Sequence, residues 1–285
     1  LNKRMNKKTR LVTVTGSRTN TLWHMLNHYR HIVDEIYVVV YEWEGVSTLK
    51  DVGEILVNFP TAKVVRVAKK EKFNWEYVTQ LYNETKLLHP DDWWVVADDD
   101  ELHIYPMPLP FMIEDCEDNG WDIVRGGFID RIGEGGTFTE IQPYKNIFQQ
   151  FPLAGFFRYP LSGACPNKVC VMKGYIEVTF GQHYAKINGE TLWGQQLDNK
   201  NIAPVDKYYA QVHHFKWDST CVERIKAVAD TKKEYAFSKE YLKMYQAIRS
   251  NNFEIDINDT EFMIENIGEN EYTKWVELFQ KITLI

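Results

Sequence analysis

The chain has 285 residues, room for one large domain or two small ones, and its 44% hydrophobic and 14% aromatic content supplies a sizeable core. Charged residues make up 26% and the formal net charge is -7. That balance excludes nonspecific nucleic-acid binding as the main task, and an anionic substrate would need a local remedy such as a metal or a lysine cluster.

No apolar run is long enough to span a bilayer. The stretch Leu1-Asn2-Lys3-Arg4-Met5-Asn6-Lys7-Lys8 is basic but lacks the apolar segment of a signal peptide; it reads as a fraying tail or as the end of a segment that carries an anchor. The 4 cysteines, Cys116, Cys165, Cys170 and Cys221, are few for the length and show no paired C-x-x-C spacing. Neither a disulfide framework nor a zinc site is expected, and a reducing cytoplasm is the simplest assignment.

Leu11 to Thr15 is a β-rich run ended by Gly16-Ser17-Arg18, the expected first strand. Thr19 and Asn20 are N-cap candidates for a helix with Leu22, Leu26, Tyr29 and Val33 at helical spacing. Ile36 to Tyr41, ended by Glu42, reads as a buried strand, and Val64 to Val67 as another. Asn74 can cap a helix carrying Trp75, Val78, Tyr82 and Leu88. Trp93 to Ala97 follows as a strand. Alternating strands and helices imply βαβ units and a mostly parallel sheet.

Trp121 to Ile129 is a further strand, ending in Asp130-Arg131, before the glycine-rich loop Gly133-Glu134-Gly135-Gly136. Residues 152–166 read as irregular. Lys168 to Met172 and Tyr175 to Phe180 form an expected hairpin leading to Gly181-Gln182-His183. Tyr208 to Trp217 is a late strand. Helical stripes follow, Tyr241, Met244, Tyr245 and Ile248, then Tyr272, Trp275, Phe279 and Ile282. The expected division is a nucleotide-binding domain over 1–217 and a helical extension over 218–285.

Chemistry concentrates at Asp98-Asp99-Asp100-Glu101. Four carboxylates follow an apolar strand, where α/β sheets open their ligand crevices. At 4 Å and an effective dielectric of 20, each pair of like charges costs ~4 kcal/mol. A divalent cation relieves that repulsion, and oxygen-only ligands favour Mg or Mn. G-x-G-x-x-G, G-x-x-x-x-G-K-[ST] and G-x-S-x-G are all absent, which argues against dinucleotide sites, Walker-type sites and nucleophile elbows.

Val96-Ala97-Asp98-Asp99-Asp100-Glu101, Gly181-Gln182-His183 and His214-Phe215-Lys216-Trp217 together resemble GT-A fold glycosyltransferases. Family 2 and family 92 type members, with a D-x-D-E element, a distal G-x-H and a late H-F-x-W-like strand, come closest. The resemblance implies a Rossmann-like α/β fold and a metal-dependent transfer of a sugar from a nucleoside diphosphate, UDP foremost, to a hydroxyl of a glycan or glycoconjugate. It implies metal contacts at Asp98, Asp100 and His214, and a diphosphate contact at Lys216. Thr15, Gly16, Ser17, Arg18, Tyr41, Glu42, Asp98 and Asp99 take the nucleotide-facing positions. The sequence departs from the pattern in the acidic Asp99 and in Glu42, where Asp is commoner.

An inverting transfer needs a base for the acceptor proton. Asp130 is the candidate, with Glu134 and Glu140 as alternatives. His183 is open to acceptor, metal or structural roles. Strand alternation puts His213, Phe215 and Trp217 on a core face and Val212, His214 and Lys216 on the other. The competing readings are a metal-dependent phosphohydrolase or nucleotidyltransferase, and a noncatalytic carbohydrate- or calcium-binding module.

Overall fold

The computed structural model describes residues 7–192, 200–231 and 237–285, so most of the basic N-terminal stretch lies outside the described residues. In chain order come β1 (Thr9–Thr15), α1 (Leu22–Tyr29), β2 (Glu35–Glu42), α2 (Leu49–Leu56), β3 (Ala62–Lys69), α3 (Trp75–Lys86), β4 (Trp93–Val96), β5 (Glu101–Ile104) and α4 (Leu109–Asn119). Then follow β6 (Ile123–Ile132), α5 (Ile147–Gln150), β7 (Leu153–Gly155), α6 (Arg158–Ser162), β8 (Asn167–Lys173), β9 (Glu177–Val178), β10 (Ala185–Ile187), β11 (Glu190–Thr191) and β12 (Tyr209–His214). The chain closes with α7 (Cys221–Asp230), α8 (Ser238–Ser250), β13 (Glu265–Asn266) and α9 (Trp275–Thr283). It is a mixed α/β fold with a mostly parallel central sheet flanked by helices, as the strand–helix alternation implies.

Two compact units divide the chain. The first comprises residues 1–126 and 167–210, the second 127–166 and 211–285. Two of the three divisions fall inside β6 and β12, and the third lies just before β8.

In the first unit the strand order is β8-β4-β1-β2-β3. β1 pairs in parallel with β2 and β4, and β2 with β3; β8 runs antiparallel to β4. β2 and β4 read as continuous apolar runs because they are buried. β3 is half exposed and carries Lys63, Arg66 and Lys69, which suits a sheet edge. Val12, Tyr37, Trp94, Val96, Val169 and Met172 fill one core cluster with Tyr82 of α3. Asn74 caps α3 as expected, accepting from the Tyr77 amide at 2.7 Å.

In the second unit β6 pairs antiparallel with β7, and β7 with β13. Ile132, Phe157, Trp217, Ile225, Met244 and Ile248 are buried together. The stripe Tyr241, Met244, Tyr245 and Ile248 is the inward side of α8.

Several sequence expectations need correction. The N-cap of α1 is Thr21, not Thr19 or Asn20, because the chain first turns through a Leu22 amide to Thr19 carbonyl bond. Val33 lies beyond α1. Leu88 lies beyond α3 and is exposed; Pro90 disfavours helical geometry at His89. The β8–β9 hairpin does not form. Pro90 and Asp92 carbonyls take the Tyr175 and Gly174 amides, and β9 pairs with β10 instead. Residues 152–166 contain β7 and α6. β12 stops at His214, not Trp217, and Arg224 takes the Lys216 carbonyl at 2.6 Å. α2, β5 and α4 have no counterpart in the sequence reading. α4 ends on Gly120, whose φ of 74° suits glycine.

Candidate functional site

The acidic turn lies between β4 and β5 in the first unit. The Glu101 amide donates to the Asp98 carbonyl, and the Asp98 amide to the Glu101 carboxylate, both at 3.1 Å. This reciprocal pair folds the run tightly and turns its carboxylates toward the end of β1. There the Thr15 hydroxyl donates to Asp99 Oδ2 at 2.6 Å, and Arg18 Nη2 donates to Asp100 Oδ2 at 2.5 Å. The structure thus brings Thr15 and Arg18, both named from the sequence, against Asp99 and Asp100. Gly16 belongs beside them for a steric reason. A Cβ there would stand 2.9 Å from the Trp43 ring and 3.0 Å from the Tyr41 carbonyl. Ser17 is exposed.

Two residues of this site escaped the sequence reading. The Tyr82 hydroxyl donates to Asp98 Oδ1 at 2.7 Å and accepts from the Val14 amide at 3.2 Å. The Lys168 ammonium, fully buried, lies 2.7 Å from Glu101 Oε1 and 3.3 Å from Asp98 Oδ2, and also donates to Gln182. A lysine inside an otherwise apolar strand, Asn167-Lys168-Val169-Cys170-Val171-Met172, was the signal available.

The charge balance is uneven. Desolvation and the neighbouring Glu101 and Asp100 push the Asp98 carboxyl up to about 6 against the pull of Lys168. Desolvation and Asp100 push Asp99 up to about 7, against Arg18 and Thr15. Burial alone would depress Lys168, yet Asp98 and Glu101 hold it above its ordinary value. The cluster thus keeps more negative charge than Arg18 and Lys168 neutralise. Clustered oxygen donors with excess negative charge fit a hard divalent cation.

Tyr41 and Glu42 are engaged elsewhere in the first unit. Tyr41 packs near Trp43, Phe73 and Tyr77, and its hydroxyl accepts from the Asn74 amide. Glu42 Oε1 accepts from the Thr48 and Leu49 amides and the Ser47 hydroxyl, and Lys69 pairs with Oε2. Lys69 foremost, then the Leu49 amide, hold its carboxyl at about 2. The carboxylate anchors the start of α2. His183 Nδ1 lies 2.7 Å from the Asn167 carbonyl.

Asp130, His214 and Lys216 come together in the second unit. Asp130 is 1% exposed. Its Oδ2 accepts from the Phe157 and Arg158 amides at 3.2 and 2.8 Å, and its Oδ1 from the Trp217 indole at 2.9 Å. His214 Nδ1 stands 3.7 Å from Oδ1, and its ring lies against Phe128. Burial raises the Asp130 carboxyl, but His214, the Arg158 amide and Trp217 together hold it below its ordinary value. His213 is buried and accepts from Arg131 Nε at 3.0 Å. Glu134 and Glu140, the alternative bases, are exposed.

No family model matches the chain, and no curated protein matches it. Solved structures with a similar fold include a 4-diphosphocytidyl-2C-methyl-D-erythritol synthase, 15% identical, covering 60% of this chain and 77% of that one with a TM-score of 0.32. S. aureus TarS 1-349 in complex with UDP-GlcNAc is 12% identical, covering 87% of this chain and 73% of that one, TM-score 0.33. A putative glucose-1-phosphate thymidylyltransferase from Bacillus anthracis is 10% identical, covering 97% and 94%, TM-score 0.29. These likenesses are distant, and the functional reading rests on the side chains described above.

Proposed function

We propose that the chain is a metal-dependent glycosyltransferase that moves a sugar from a nucleoside-diphosphate sugar, UDP foremost, to a hydroxyl acceptor. One observation carries the reading: the carboxylates of Asp98, Asp99 and Asp100 are folded against Thr15 and Arg18 at the end of β1, with charge left over. A diphosphate approaching such a cluster is repelled unless a cation intervenes. Mg or Mn held by Asp98 and Asp100 would supply electrostatic stabilisation of the leaving diphosphate. Lys168 and Tyr82 keep Asp98 in place, and Arg18 fixes Asp100. His214 as a further ligand and Lys216 as a diphosphate contact are carried over from the family resemblance.

Asp130 is the proposed base of an inverting transfer. It stays ionised at neutral pH, as a base must. Its three hydrogen bonds and the nearby His214 favour a second assignment within the same reading. In it His214 would not ligate the metal but would take the acceptor proton, while Asp130 orients the ring. Asp130→Asn and His214→Ala separate the two: a base lost outright lowers turnover by about a hundredfold, while a lost orienting group leaves a pH-shifted remainder.

The test of the function is a panel of nucleotide sugars assayed with Mn, with Mg and with chelator. Metal-dependent release of UDP together with a glycosylated acceptor supports transfer. Formation of a new nucleotide sugar from a sugar phosphate would make the protein a nucleotidyltransferase, and thermal shifts with calcium alone would make it a binding module.

A further inference from the structure

The turn that leads into α5, in the second unit, holds an aromatic ring out of the protein at two costs. Tyr144 follows Pro143 in this turn, and its φ is 64°. Proline followed by a residue at positive φ is the pattern of a type II turn, whose second central position favours glycine or asparagine. A tyrosine there is strained, because its Cβ crowds the backbone in the left-handed region. The side chain is also 72% exposed, so a large apolar face stands in water. Glycine would relieve both costs.

Two sets of contacts hold the ring in that position. The Gln150 side chain spans the turn: its Oε1 accepts from the Gln142 amide at 2.7 Å, and its Nε2 donates to the Gln142 and Lys145 carbonyls, both at 3.1 Å. The stem is fastened to the late strand and the residues just after it. Thr139 pairs with Asp218, the Ser219 amide donates to the Thr139 carbonyl at 3.0 Å, and the Phe148 ring lies edge-on to Phe215 at 5.4 Å. A strained backbone kept in place by its own clamp points to a task for the side chain it presents.

We propose that Tyr144 is a stacking platform for a sugar ring of the acceptor. One face of a pyranose is a set of C–H groups, which pack on an aromatic face, and its rim is hydroxyls, which need hydrogen-bonding neighbours. Gln142, Lys145 and Asn146 flank Tyr144 in sequence, are exposed, and supply those donors and acceptors. A protein partner fits less well. A stable protein interface covers about 800 Å² per partner around a core poor in charge, whereas residues 142–146 offer one ring and one proline among polar side chains. That the sugar belongs to a transfer acceptor rests on the function proposed above; carbohydrate binding at Tyr144 does not.

The test is NMR titration of the full chain with neutral trisaccharides of glucose, galactose, mannose and N-acetylglucosamine, with chelator present and nucleotide absent. Folded wild type should bind at least one of them, with an affinity that salt leaves unchanged. Tyr144→Gly should weaken that binding about tenfold or more, while its melting temperature stays level or rises. Tyr144→Phe should keep the affinity, because it keeps the ring. No binding by folded wild type, equal affinity in Tyr144→Gly, or a clear fall in that variant's melting temperature would overturn the platform, the last by making the ring a structural contact. Self-association that Tyr144→Gly abolishes, without trisaccharide binding, would overturn it in favour of a contact between copies. Turnover separates this proposal from the function it builds on. Trisaccharide binding that needs Tyr144, in a protein without metal-dependent transfer, leaves the platform standing and removes the transferase reading. Transfer with an acceptor KM unchanged in Tyr144→Gly leaves the transferase standing and removes the platform.

Discussion

The buried ammonium of Lys168 bonds Glu101 at 2.7 Å, across 67 residues of chain, and so ties β8 to the acidic turn. Both groups are almost wholly excluded from water. Removing one partner of such a pair leaves an uncompensated buried charge. Lys168→Met should therefore destabilise the protein by about 3–5 kcal/mol. Adding Glu101→Gln should recover part of that loss, because the stranded carboxylate is then neutral. Urea unfolding of the two single variants and the double variant measures the coupling directly. Additive losses would mean that the two side chains do not act as a pair.

A second buried lysine predicts a pH dependence. Lys86 is fully buried, and among the described residues its ammonium meets the Ile176 carbonyl and, at 3.4 Å, the Met172 sulfur. Burial lowers it to about 7. Between that value and its unfolded value, the unfolded chain carries one more proton than the folded one. Stability from this group therefore rises with pH across that window, by about 1.4 kcal/mol per unit, and is lost as pH falls through 7. Lys86→Met should remove this slope. The difference between wild-type and variant stability, measured from pH 7 to 10, checks it; parallel curves would show that Lys86 titrates normally.

The two adjacent histidines should respond differently. His213 is buried and accepts from Arg131, so His213→Ala leaves a buried guanidinium without that acceptor and should cost about 1–3 kcal/mol. His214 lies at the strand end beside Asp130 and Phe128. His214→Ala should abolish most transfer activity with a smaller change in melting temperature. Melting curves and turnover of both variants decide the matter. The reverse pattern would make His213 the functional histidine.

Much of this arrangement was readable from local pattern. The apolar runs of β1, β2 and β4 and the cap at Asn74 report on themselves, because burial on both faces and an orphan amide each leave a mark within a few residues. The placement of Thr15 and Arg18 near the acidic turn came with the family resemblance, and the parallel pairing of β1 with β4 is what brings their ends together. Lys168 was not, because its meaning lies in Glu101, which only the pairing of β8 with β4 brings near. The β8–β9 hairpin failed as an expectation although the chain turns there, the Ile176 amide donating to the Lys173 carbonyl, because β9 takes its strand partner from β10. Short helices such as α2 escaped because Glu42, six residues before Thr48, anchors its start.

If Asp100 holds a divalent cation for a nucleotide diphosphate, UDP titration with and without Mn in wild type and Asp100→Asn will show it. The variant keeps the shape of the side chain and removes its charge. Wild type should bind UDP at least about tenfold more tightly with Mn than with chelator. Asp100→Asn, with an unchanged circular dichroism spectrum, should bind UDP equally weakly in both conditions. Wild-type UDP binding that ignores Mn, or a variant that keeps the full metal-dependent gain, would contradict the account.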